Sequence, residues 1–299
     1  MNTLLSFFPL LAQTAADPAA APVWPSVALA ATVGLGGLIL AAQRGWLQPN
    51  LLRHGPERRL DLNLADRAIG SCLLGLLIAG AAMGAMATAQ GTTDPDAQQL
   101  AATLSAIGLM GSATFFLAKA WMTPTGFRAA GLLPRHPLRD VGMGLLGFLL
   151  GTLLTWSTLA LVGAAAKAAG STVSEVNHTS LEQLIATPDL LTVLQLVLGA
   201  VIIAPLLEEM VFRGLLQTLL IDTLGRRARW TAVLTASLIF ALIHAAAVSW
   251  HGWPGLFVLG VVLGWLYERT GSLLPCYLAH ALFNAANIAA ALGMAQAAG

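Results

Sequence analysis

Charge is what this sequence has least of. Asp, Glu, Lys and Arg make up 10% of its 299 residues, where water-soluble domains carry roughly 25%. A soluble protein this poor in charge could not cover its own surface. Mean hydropathy of +0.76 and 57% hydrophobic residues point instead to a chain solvated by lipid. No sign of charge dominates: 15 Lys and Arg stand against 14 Asp and Glu, a formal net charge of +1, so bulk charge implies no nucleic-acid partner. Cysteine is nearly absent. Cys72 and Cys276 both lie in apolar runs, which excludes a disulfide framework and provides no metal-type spacing. A long hydrophilic domain, an internal repeat and a coiled-coil heptad are all missing.

What is present is a series of apolar runs long enough to cross ~30 Å of hydrocarbon. They fall near 25–43, 68–89, 100–121, 140–165, 190–212, 230–248, 254–267 and 272–292. The seventh, between Pro254 and Glu268, is short and reads as a tilted or partial span. The expected fold is therefore all-α, a polytopic transmembrane bundle of about eight helices. Residues 1–23 contain a short apolar run, Leu4 to Leu11, with no positive charge before it. An extramembrane or interfacial tail is expected there rather than a signal peptide. The expected division is a tail over 1–23, about four transmembrane helices with connectors over 24–189, and motif-bearing helices over 190–299. The connector 43–67 has room for a short interfacial segment, and the polar stretch 167–189 reads as a lid or a loop. Close glycine spacings, such as Gly34 to Gly37 and Gly142 to Gly151, fit tight helix packing in lipid.

Thirteen of the 15 basic residues fall on one side of these spans. Arg44, Arg53, Arg58, Arg59 and Arg67 lie in the first connector, and Lys119, Arg128, Arg135 and Arg139 around the third. Arg226, Arg227 and Arg229 follow span five, and Arg269 follows span seven. The positive-inside rule makes this side cytoplasmic, with both termini outside. The expected location is the cell (inner) membrane, multi-pass, with the motif-bearing helices reached from the cytoplasm.

Ionisable groups inside spans are costly and are functional candidates by default. They concentrate after residue 200: Glu208, Glu209, Arg213, His244 and His280, with Asn284 and Asn287 as amides. Glu209 and Arg213 are four apart, share a face and stand in the favourable order for a helical ion pair, so they read as structural support. Glu208 points about 100° away and has Phe212, not a cation, four residues on. A carboxyl in that position suits a general base. Glu208 lies 18 residues before Arg226 and His244 lies 18 after it, so an antiparallel hairpin sets them at similar depth. Phe240, one turn before His244, shares its face. His280 and Asn284 are again four apart. His280 lies ~16 Å along its helix from Arg269, and donors there suit the oxyanion of a tetrahedral intermediate. Asn287 continues that face and reads as structural. Pro205 just before the acidic pair frees a carbonyl and invites a kink.

These residues form three motifs in order: Glu208-Glu209-Met-Val-Phe-Arg213, Phe240-Ala-Leu-Ile-His244 and His280-Ala-Leu-Phe-Asn284. The set resembles the CPBP family, the CAAX prenyl proteases of the second type and their prokaryotic relatives, also called Abi. The run from Gly264 to Pro275 is similar to the segment that leads to that family's third motif. The resemblance covers about residues 190–292 and implies an intramembrane endopeptidase. Eukaryotic members remove the last three residues of prenylated CAAX proteins. Carried over by motif position, it implies that Glu208 and His244 activate water and that His280 and Asn284 stabilise the oxyanion, with Glu209 and Arg213 in support. The expected partners are the lipid bilayer and a peptide or lipidated protein substrate, with no nucleic acid.

The family is commonly labelled metalloprotease, and Glu208, His244 and His280 are a possible zinc set. No His-Glu-x-x-His helix exists in the chain, and a metal-free, glutamate-driven hydrolysis accounts for the spacing. No cofactor is the favoured expectation, with zinc as the alternative. A non-proteolytic protein using the same buried Glu–His network, such as a proton-coupled transporter, a helix-binding scaffold or an immunity factor, is the rival reading.

Overall fold

In hydrocarbon every backbone N–H and C=O must find a partner within the protein, and in apolar runs near twenty residues long an α-helix provides it. The computed structural model describes residues 24–46, 48, 62–91, 94–123, 125–171 and 190–298. Among them it contains helices and turns and no strand. The helices are α1 (Trp24–Gln43), α2 (Leu64–Ala89), α3 (Pro95–Met122), the single turn α4 (Gly126–Ala129) and α5 (Pro137–Ala168). After them come α6 (Leu190–Leu224), α7 (Arg229–Ile243), α8 (Trp253–Thr270) and α9 (Leu274–Ala298). The all-α polytopic expectation is borne out. The tail 1–23, the connector residues 49–61 and the polar stretch 172–189 lie outside the described residues, so the readings placed there have no structural counterpart.

Five helices, α2, α3, α5, α6 and α9, are long and apolar enough to cross a membrane, and Ala28–Gln43 and Arg229–Ile243 are shorter apolar helices. The chain is an integral membrane protein. Start signals sit where the sequence offers them. Asn63 caps α2 in a reciprocal box with Asp66, the two side chains accepting from each other's backbone N–H at 2.9 and 3.0 Å. Proline occupies the first turn of α3, α5 and α8, where its missing N–H costs nothing. α8 stops at Gly271, whose φ of +67° a side chain would resist.

Small residues let the helices approach closely. A Cβ on Gly108 of α3 would meet the backbone of Leu77 on α2, and one on Gly80 would meet the Ser105 nitrogen at 2.5 Å. α5 packs against α1, α8 and α9, and α7 against α8. One main core runs from Leu74 and Phe116 through Phe212, Phe240 and Leu263 to Phe283. A small satellite core joins the first turns of α6 to Ile288 and Ala291 of α9.

Residues at and beyond the ends of α1, α3, α4 and α8 meet neighbouring helices. Trp46 beyond α1 packs on Trp265 of α8, with ring centroids 5.4 Å apart. Lys119 pairs with Asp66 at 2.8 Å, and the Leu273 N–H donates to the Gly131 carbonyl at 2.8 Å.

Two of the boundaries that differ from the sequence reading bear on the site. The fifth span, expected to close near 212, continues to Leu224 and stops at Gly225, φ +86°. Arg213 does not end it because the guanidinium is fully buried beside Glu209. The sixth, expected to reach 248, stops at Ile243, with His244 as its C-cap.

Candidate active site

α6 carries the acidic pair, and it is an irregular helix. π-helical turns at Val197–Ile203 and Met210–Leu216 flank the α-helical stretch Ala204–Glu209, which has Pro205 near its start. Such wide turns are rare and collect at functional sites. Glu208 and Glu209 therefore sit on a short regular stretch between two irregular ones, and they face different partners.

Glu209 is the structural half of the pair, and it does more than the spacing indicated. Its Oε2 lies 3.1 Å from Arg213 Nε, as the i, i+4 pattern predicts. Its Oε1 lies 2.9 Å from His280 Nδ1 on α9. A carboxylate oxygen at this distance accepts, so it fixes the proton of His280 on Nδ1 and turns Nε2 away. Arg213 has no solvent exposure, and among the described residues its Nη1 and Nη2 make no hydrogen bond. Its guanidinium carbon lies 5.2 Å from the centre of the Phe240 ring, within cation–π range.

His244 is oriented in the same sense by a different group. Its Nδ1 lies 2.7 Å from the Phe240 carbonyl. A carbonyl can only accept, so Nδ1 carries the proton and Nε2 faces outward. The ring caps the last turn of α7, where a histidine meets otherwise unpaired carbonyls.

Both Nε2 atoms aim at Glu208. His244 Nε2 lies 4.0 Å from Oε1 and His280 Nε2 lies 3.8 Å from Oε2. These gaps exceed a direct hydrogen bond and leave each ring nitrogen able to share a bridging group with the carboxylate. Glu208 and His244 retain slight exposure, at 14% and 20% of their side chains, whereas Glu209 and Arg213 are sealed in. Phe240 is the common wall. Its ring centroid lies 4.8 Å from that of His244, 5.7 Å from His280 and 5.3 Å from Phe212.

Asn284 lies one turn beyond His280 and donates from Nδ2 to the Ala200 carbonyl in the first π turn of α6, at 2.7 Å. Of its two amide hydrogens one is thereby engaged. Asn287 bonds its own helix at Phe283. The structure thus brings Glu208, His244 and His280 together, and it ties Asn284 to the neighbouring helix wall.

Zinc is the metal that such a set would take. Ligand bonds of ~2.0–2.2 Å hold tetrahedral donors about 3.3–3.6 Å apart, and the Glu208–histidine separations are 3.8 and 4.0 Å. Among the described residues no group of three His, Cys, Asp or Glu side chains is arranged to hold a metal ion.

A second buried polar cluster escaped the sequence reading. Glu268, with no exposure, accepts from Arg229 Nη1 at 2.5 Å and from Gln217 Nε2 at 2.7 Å. Glu268 had served only to bound the seventh span, and Arg229 only to count among connector charges. The signal available in the sequence was Gln217, a polar residue eight positions beyond Glu209 in an apolar run.

No curated protein and no solved structure matches the chain. One family does. Its model covers the stretch in which all three motifs lie, so the resemblance is borne out where its motifs are. Residues 190–286 match the family of Rce1-like type II CAAX prenyl endopeptidases, which supports a CAAX-type intramembrane protease-like function for this membrane protein.

Proposed function

We propose that the protein is an endopeptidase that hydrolyses a peptide bond of a membrane-associated or lipidated substrate with a water activated by Glu208. The observation that carries this reading is the convergence of two oppositely anchored imidazoles on one carboxylate. Each ring has its Nδ1 proton committed, to Phe240 or to Glu209, so that each Nε2 is presented to Glu208. A water between Glu208 and His244 gives one proton to the carboxylate and hydrogen-bonds to the His244 nitrogen. Its oxygen adds to the scissile carbonyl carbon.

The resulting oxyanion needs donors. His280, whose Nδ1 is held by Glu209, faces the site through Nε2 and donates from it when that nitrogen also carries a proton. The free hydrogen of the Asn284 amide is a second donor. Collapse of the intermediate breaks the carbon–nitrogen bond, and the proton held by Glu208 passes to the leaving amine. This route is metal-free, in keeping with the spacing of the three side chains.

The family match supports CAAX-like peptides with a lipid anchor as the substrate class. The distribution of Lys and Arg among the connectors of the sequence supports access from the cytoplasmic face of the cell membrane. The test is reconstitution in liposomes with a fluorogenic farnesylated CAAX peptide. Wild type is expected to cleave it. Glu208→Gln is expected to lose about 10²–10⁴-fold in rate with an unchanged thermal midpoint. Cleavage that survives Glu208→Gln would sink the proposal and favour a transporter or scaffold.

A further inference from the structure

We infer that Glu268 is a positioning residue, which sets the register of the α8–α9 hairpin against α6 and thereby the approach of His280 to Glu208. The inference rests on the proposed peptidase reading and adds a residue outside its three motifs.

Glu268 stands on the last turn of α8, less than one turn before the chain reverses at Gly271 and enters the helix that carries His280. It is fully buried and bonds two other helices at once. Oε2 accepts from Arg229 at the first residue of α7, and Oε1 accepts from Gln217 on α6. Gln217 is fully buried as well, and its Nε2 also reaches the Gly264 carbonyl one turn back on α8, at 3.2 Å. Gly264 makes that contact possible, since a Cβ there would meet Gln217 Oε1 and Val233 Cγ1 at 2.9 Å each.

The geometry of α6 explains why two anchors are required. In a regular helix, Glu209 and Gln217 would be separated by eight steps of about 100°, a net ~80° around the axis. The π turn Met210–Leu216 absorbs roughly one residue of that rotation and brings the two to within ~20° of one line. Both then face the α8–α9 hairpin, Glu209 toward His280 and Gln217 toward Glu268. The hairpin is pinned to α6 on either side of a wide, irregular turn. Without the Glu268 anchor the turn is free to relax to a regular helix, which rotates Glu208 and Glu209 relative to α9. Arg229 extends the same anchor to the first residue of α7, the helix that His244 caps.

A buried ion pair replaced by apolar residues of similar volume is often neutral for stability. That separates positioning from mere structure. The double variant Arg229→Met/Glu268→Leu is expected to keep the wild-type thermal midpoint within a few degrees. Its kcat on the farnesylated CAAX peptide is expected to fall at least tenfold, with KM within about twofold. Glu268→Asp, one methylene shorter, keeps charge beside Arg229 but cannot also span to Gln217. It provides the same readout if the double variant does not fold, with a several-fold loss in kcat expected.

Spin labels at exposed Leu206 on α6 and Ala289 on α9, in a Cys72→Ser/Cys276→Ala background, measure the register without catalysis. A broadened or shifted distance distribution is expected in both variants. Wild-type kcat in both variants, or unchanged label distances, would overturn the inference. If wild type itself fails to cleave, the peptidase reading falls, and the label distances alone decide the role of Glu268.

Discussion

Removing the charge of Glu209 tests the division of labour within the acidic pair. Glu209 is ion-paired to a guanidinium that has no solvent exposure and, among the described residues, no hydrogen-bond acceptor. Breaking a buried pair from one side costs about 3–5 kcal/mol, because the remaining charge stays buried and unpaired. Glu209→Gln is therefore expected to lower stability by about that amount. The Arg213 charge remains stacked on Phe240 with only a neutral amide beside it. Adding Arg213→Met removes the orphaned charge, and most of the stability should return. Activity should not return with it. His280 Nδ1 has lost a charge-assisted hydrogen bond of about 1.5–3 kcal/mol, which holds the ring in its orientation toward Glu208. At 1.36 kcal/mol per decade this is roughly a ten- to hundredfold fall in kcat for the single and double variants alike. Stability is read by thermal unfolding in nanodiscs, and activity by cleavage of the farnesylated CAAX peptide in liposomes. A double variant that recovers both stability and full rate would refute the argument, since it would mean that Glu209 serves Arg213 alone.

Three further outcomes are expected. Asn284→Ala should lower kcat about 10²–10³-fold if its free amide hydrogen serves the oxyanion, and a rate within threefold of wild type would leave it only its bond to Ala200. Gly264→Ala forces a methyl against Gln217 and Val233 and should cost about 1–3 kcal/mol, visible as a lowered thermal midpoint; an unshifted midpoint would show that α7 and α8 can part without penalty. Chelators should leave peptide cleavage unchanged, and a loss restored by added zinc would overturn the metal-free route.

Much of the site was legible because helical spacing is a geometric rule. Glu209 and Arg213 at i, i+4 pair as expected. Counting equal lengths from the turn near Arg226 brings His244 to the depth of Glu208. The Glu209–His280 bond was not legible, since it spans 71 residues and depends on how α9 crosses α6. The π turns left no trace in the apolar periodicity, because a run that is apolar on every face looks the same whichever way it is wound. Glu268 was misread for a related reason. A charge beside Arg269 at the end of an apolar run has the pattern of a membrane boundary, and only the packing of α6 and α7 over it shows that it is buried.

The sequence by itself determined the solvent and the class. With 10% charged residues and apolar runs near twenty residues long, the chain has to be a helical membrane protein, because hydrocarbon leaves the backbone no other partners. It also singled out the candidate site residues, since polar groups are costly to leave in lipid. Tertiary structure decided which atoms face which. The Phe240 carbonyl and the Glu209 carboxylate each engage one nitrogen of an imidazole, and that choice presents both remaining nitrogens to Glu208. Spacing along a chain fixes the face of a helix, but the tautomer and aim of a ring are set by the group it meets across a helix interface.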